Sequence, residues 1–178
     1  MMASCAADES AHQSQLTDQI LDLDTADKKS EYLAAILRDD QMVRSEDDGA
    51  IILTHGQDSP EYQEYITTQK EMDKRNLDKV EAYLSVHGYP SRELGSEANR
   101  APWLVIHHAQ GYAARERNFP LLYQTYLDGQ LDEGALAFYL GRMHHMKYGK
   151  MLRMDGAFTA ENQIDTLIEL LSLPQFAQ

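Results

Sequence analysis

The sequence predicts an all-α fold: one domain built as a bundle of about five to six helices with a polar-lined interior pocket. Three observations carry that reading. Apolar residues recur at three-and-four spacing over long segments, Gly and Pro fall between those segments, and no run of alternating polar and apolar residues marks a strand. The 178 residues, 43% hydrophobic and 25% charged, suffice for a single core and are too few for two ordinary ones.

Residues 1–24 are polar and acidic and read as a tether with one short helical turn around "LTDQILDL", followed by the helical domain over 25–178. Thr25 is the expected N-cap of a first long helix, "TADKKSEYLAAILRDDQMVRSEDD", with Leu33, Ile36 and Leu37 on its buried stripe. "GAIILTHGQDS" reads as a loop, extended at its apolar centre. Ser59 and Pro60 supply a cap and a first-turn proline for a second helix, whose stripe runs from Tyr62 to Leu84 before Gly88 stops it. "YPSRELGSEANR" is a loop or short turn leading to an apolar helix over 103–110. A helix from Pro120 to Gly129 and another through "EGALAFYLGRMHHMKYGKMLRMDG" to Gly156 follow. Thr159 caps a final amphipathic helix with Ile164, Leu167, Ile168 and Leu171 on one face.

Sixteen basic residues against twenty-nine acidic ones give a net charge of −13, and no local basic stripe relieves it, so nucleic acid and anionic membrane surfaces are excluded as partners. The single cysteine, Cys5, excludes a disulfide framework and a cysteine-rich zinc site. "MASC" followed by "AADESAHQSQ" has the form of a lipoprotein signal's end, small residues before the cysteine and a polar tether after it. The apolar stretch that such a signal requires would have to lie upstream of Met1. A lipid on Cys5, the one expected membrane contact, would place the protein in the cell envelope or periplasm; a chance cysteine would leave it cytoplasmic. No stretch approaches the ~20 apolar residues of a spanning helix.

Three helices interrupt their apolar stripes with polar groups. After Leu33, Ile36 and Leu37 the first reaches Asp40, Gln41 and Arg44; the second carries Gln69, Asp73 and Asn76 between apolar neighbours; the face set by Ala135, Phe138 and Tyr139 runs into Arg142 and then His145. Asp40 with Arg44 and Asp73 with Asn76 could each be local surface contacts, at i,i+4 and i,i+3. Taken together, the three interruptions favour a shared pocket, because buried charge must be paired. The adjacent histidines of "APWLVIHHAQ" lie about 100° apart on a helix, so one of His107 and His108 faces the pocket and the other packs. A metal held by His108, His145, Asp40 and Asp73 has no recognised ligand spacing behind it, and no resident metal or cofactor is expected.

"RDDQMVR", "MDKRNL", "HGYPSRELG", "APWLVIHHA" and "YLGRMHHMKYG", in that order over about residues 30–155, resemble a bacterial family of domains of unknown function. Its marks are a DQxxR element, a D-x-x-N helix, a G-x-P turn, a tryptophan segment ending in HH, and a late DR followed by YG. The resemblance points to Asp40, Gln41, Arg44, Asp73, Asn76, His108, Arg142 and Tyr148. Gly141 stands where the family's aspartate precedes arginine, and no TQ follows Tyr148 and Gly149. Were that aspartate essential to chemistry, this chain would bind without turnover.

The expected function is therefore a small-molecule-binding helical domain, its ligand anionic at one end because Arg44 and Arg142 both offer a carboxylate- or phosphate-matching fork. An enzyme, a hydrolase or transferase, would use His108 as acid or base with Asp40 or Asp73 orienting it, although no nucleophile stands out. A third reading makes the polar core structural and gives the acidic exterior to a protein partner. The first two require Asp40, Asp73, His108 and Arg142 to converge.

Overall fold

A computed structural model of the chain describes residues 14–44, 48–152 and 160–174, the side chains of 160–162 excepted. Among the described residues every regular element is helical, eight α-helices and one 3-10 turn, more helices than the sequence spacing suggests. The chain divides into two compact units, Met1–Val105 and Ile106–Gln178, with the division inside one helix.

The first unit holds α1 (residues 14–21), α2 (Ala26–Met42), α3 (Asp48–His55), α4 (Pro60–His87), the 3-10 turn Arg92–Leu94, and α5 (Ser96–His108) as far as Val105. Thr25 caps α2 by accepting from the Lys28 amide at 3.3 Å, and Ser59 caps α4 from Tyr62 at 3.1 Å with Pro60 in the first turn, both as the sequence implies. Gly88 ends α4 at φ 69°, a conformation that favours glycine. The buried stripe of α2, Leu33, Ile36 and Leu37, packs towards α4, whose Leu77, Val80, Tyr83 and Leu84 are buried.

The helical turn expected around "LTDQILDL" is α1, whose Leu16 and Ile20 are buried, and the Ile20 carbonyl lies 3.0 Å from His87 Nε2. One expectation fails here. "GAIILTH", read as part of a loop, lies in α3: its paired isoleucines suggested extended chain, but the segment coils into two turns beside α4 without burying a residue, and extended preference of such residues is only a weak prior. The first long helix also stops at Met42, short of the acidic run.

Tyr32 of α2 stacks on Tyr83 of α4 at 6.3 Å. Burial pushes the Tyr32 hydroxyl up to about 12 and raises Tyr83 as well. Folded values above the ordinary 10.0 mean that their contribution to stability is intact below pH 10 and is lost as pH rises through 10 towards 12. Among the described residues the Tyr32 hydroxyl has no hydrogen-bond partner. Tyr32→Phe should therefore keep neutral-pH stability and raise the midpoint of alkaline unfolding followed by circular dichroism. An unmoved midpoint would mean that this hydroxyl is not the one titrating.

The second unit takes the end of α5 from Ile106, α6 (Tyr112–Leu127), α7 (Glu133–Tyr148) and α8 (Ala160–Leu171), with α7 packed on both α6 and α8. Asp132 caps α7 from the Ala135 amide at 2.8 Å, and Gly149 ends it in the left-handed region at φ 71°, seven residues before the expected stop at Gly156. Ile164, Leu167, Ile168 and Leu171 form the buried face of α8 as expected, while Thr159, its expected cap, lies outside the described residues. Pro120, expected at the start of a helix, sits inside α6, which begins eight residues earlier at Tyr112 after Gly111 at φ 86°. Residues 112–119, read as connection, are thus core-forming.

Candidate functional site

The first unit gathers five of the residues marked by the sequence. Asp40, on the last turn of α2, is 0% exposed, and Asp73, facing it from α4, is 2% exposed. Arg44 lies one turn beyond Asp40, just past the helix end. Its Nη1 donates to Asp40 Oδ1 at 3.0 Å and to the Asp40 carbonyl at 2.7 Å, and its Nη2 donates to Asp73 Oδ1. One guanidinium therefore closes the end of α2 and joins it to α4. Gln41 Nε2 donates to the other Asp40 oxygen, Oδ2, at 2.8 Å. The reading of Asp40 and Arg44 as a local surface pair does not survive, because the aspartate is wholly buried and the arginine reaches a second helix.

Two buried carboxylates share this guanidinium. One turn along α4, Asn76 is also 0% exposed, and among the described residues neither its Oδ1 nor its Nδ2 has a hydrogen-bond partner. An unsatisfied buried amide costs about 1 to 3 kcal/mol, which makes its place beside an ion cluster informative. Beside the cluster lies a groove of about 470 Å³, lined by Met42 and Val43 from the end of α2, Ile51 and His55 of α3, and Tyr65 and Gln69 among others on α4. Glu61 and Glu64 supply its acidic charge, and among the described residues no Lys or Arg lines it.

The remaining marked residues belong to the second unit. His108 is half-buried, its ring edge-on to His107 at 5.5 Å, and it is His107 that is buried, stacked on Phe138 at 4.4 Å. Arg142 and His145 are exposed on α7 and line a different, largely apolar groove. Phe138, expected on the buried face with Ala135 and Tyr139, is 59% exposed. Tyr148 is exposed and donates its hydroxyl to the Leu170 carbonyl at 2.6 Å, while His144, the neighbour of His145, is buried with Nδ1 3.0 Å from the Lys150 carbonyl.

Sequence reasoning missed Arg115. Among the described residues it is the largest fully buried side chain, donating to the His107 carbonyl and, at 3.4 Å, to the Ala109 carbonyl at the end of α5. Tyr139 of α7 lies 6.0 Å from its guanidinium and donates to its backbone carbonyl, and burial raises the Tyr139 hydroxyl well above the ordinary tyrosine value. The cue was its place three residues after Tyr112 and four before Phe119, on the face that a helix starting at 112 buries.

Among the described residues no three His, Cys, Asp or Glu side chains are grouped to hold a metal ion, and no helix is long and apolar enough to cross a membrane. The chain matches no protein-family model, no curated protein and no solved structure. Its function must be argued from its own side chains.

Proposed function

We propose that the first unit binds a small organic cation in the groove beside the Asp40, Arg44 and Asp73 cluster. The observation that carries the reading is the lining of that groove, where Glu61 and Glu64 stand beside the apolar Met42, Val43, Ile51 and Tyr65. Arg44 was the expected anion receptor, but its fork is already taken by two aspartates. With Glu61 and Glu64 in the lining, an anion entering this groove would be repelled, whereas an ammonium group would be attracted. Met42, Val43, Ile51 and Tyr65 offer apolar surface to the body of such a ligand, and the volume falls in the range of small-molecule sites. The DQxxR and D-x-x-N motifs that carry the family resemblance supply the cluster's residues, and the envelope address expected from Cys5, which lies outside the described residues, belongs to the same proposal.

Calorimetric titration with putrescine, agmatine and choline, against succinate and hexanoate, tests this. At least one of the three cations should bind saturably, and Glu61→Gln or Glu64→Gln should weaken it about tenfold or more. Binding only by the acids, or cation binding indifferent to both substitutions, would overturn it.

A further inference from the structure

The second unit carries a groove of about 610 Å³ along α7 and the start of α8. Its floor is formed by Ala137 and Gly141, which are buried, and its walls by Phe138, Met146 and Met151, which are exposed at 59%, 38% and 59%. Three large apolar side chains left in water around one concavity are not the scattered exposure that any surface shows. Arg142 stands in the same lining, and none of the ion pairs or hydrogen bonds among the described residues uses its guanidinium, in a chain with twenty-nine acidic residues to choose from.

Gly141 adds an independent observation. Glycine inside a helix is less stable than alanine, and close packing is the usual reason to keep it. Among the described residues packing does not require it: outside the helix's own backbone, the one such atom within 4 Å of a Cβ at this position is Gln163 Nε2, at an ordinary 3.9 Å. What the missing methyl leaves open is the depth of the groove.

We propose that this groove binds a small amphiphilic carboxylic acid, acyl or aryl, with its apolar part between Phe138 and the two methionines and its carboxylate on the Arg142 fork. The charge decides among amphiphiles. An ammonium head group would face a guanidinium, and a neutral one would leave that guanidinium unmatched at the edge of an apolar surface. The site is separate from the one proposed in the first unit and does not depend on it.

Titration of the full chain with octanoate, octanol and octylammonium provides the test. Octanoate should bind at least about tenfold more tightly than either analogue. Arg142→Gln, at an exposed position, should abolish that preference, and Gly141→Ala should weaken octanoate and octanol together while the melting temperature holds or rises. The assignment is overturned if octanoate fails to bind saturably, or binds Arg142→Gln and Gly141→Ala as it binds the parent. Two further results would also overturn it: a dimer in sedimentation that Phe138→Ser dissociates, giving the groove to a second copy, or binding seen only after Phe158→Ser, giving it to the chain's own residues 153–159.

Discussion

Arg44→Met is expected to destabilise the protein by about 3 to 5 kcal/mol, whereas Asp73→Asn should change stability by no more than about 1 kcal/mol in either direction. Methionine keeps most of the arginine's apolar stem, so the loss measures charge rather than packing. Without the guanidinium, two aspartates at 0% and 2% exposure are left facing each other with no countercharge from it, and the Asp40 carbonyl at the end of α2 loses its donor. Asp73→Asn removes one of the two carboxylate charges and leaves an oxygen for Arg44 to donate to. Such tolerance is what a ligand site holding like charges would show. Combining Arg44→Met with Asp40→Asn and Asp73→Asn should recover much of the loss, since the repelling pair has then gone. Urea unfolding at neutral pH reads all of these. An Arg44→Met variant within about 1 kcal/mol of the parent would mean that water already screens the cluster.

The cluster was legible in the sequence because its members interrupt otherwise regular stripes. Asp40 falls three residues after Leu37, and Asp73 four before Leu77, so each had to lie on a buried face, and each does. Periodicity is blind to finer choices. It could not say which of His107 and His108 packs, because both flank the stripe of α5, and it buried Phe138 where the fold exposes it. It could not bring Arg44 and Arg142 into one pocket either. Arg44 is committed to two aspartates, and Arg142 is an exposed residue of another groove. Proline misled the reading most: a first-turn proline is correct at Pro60, but the same rule at Pro120 hid the first two turns of α6.

Those hidden turns contain the residue whose loss should cost most in the second unit. Arg115→Met is expected to lower stability by about 1 to 3 kcal/mol, and Arg115→Lys by a large part of that. A helix end leaves carbonyls without donors, and at the end of α5 those of His107 and Ala109 are met by one guanidinium at 0% exposure. Methionine fills much of the volume but offers no N–H, so buried carbonyls lose a donor that water cannot readily replace. Lysine offers a charge at a single point, on a stem that does not reproduce the planar fork. Tyr139→Phe removes only the bond to the Arg115 carbonyl and should cost about 1 kcal/mol. Chemical unfolding followed by far-ultraviolet circular dichroism would rank the three variants. If Arg115→Met unfolds at the parent's midpoint, the guanidinium is not what holds the end of α5 to α6, and the burial of a cation there needs another explanation.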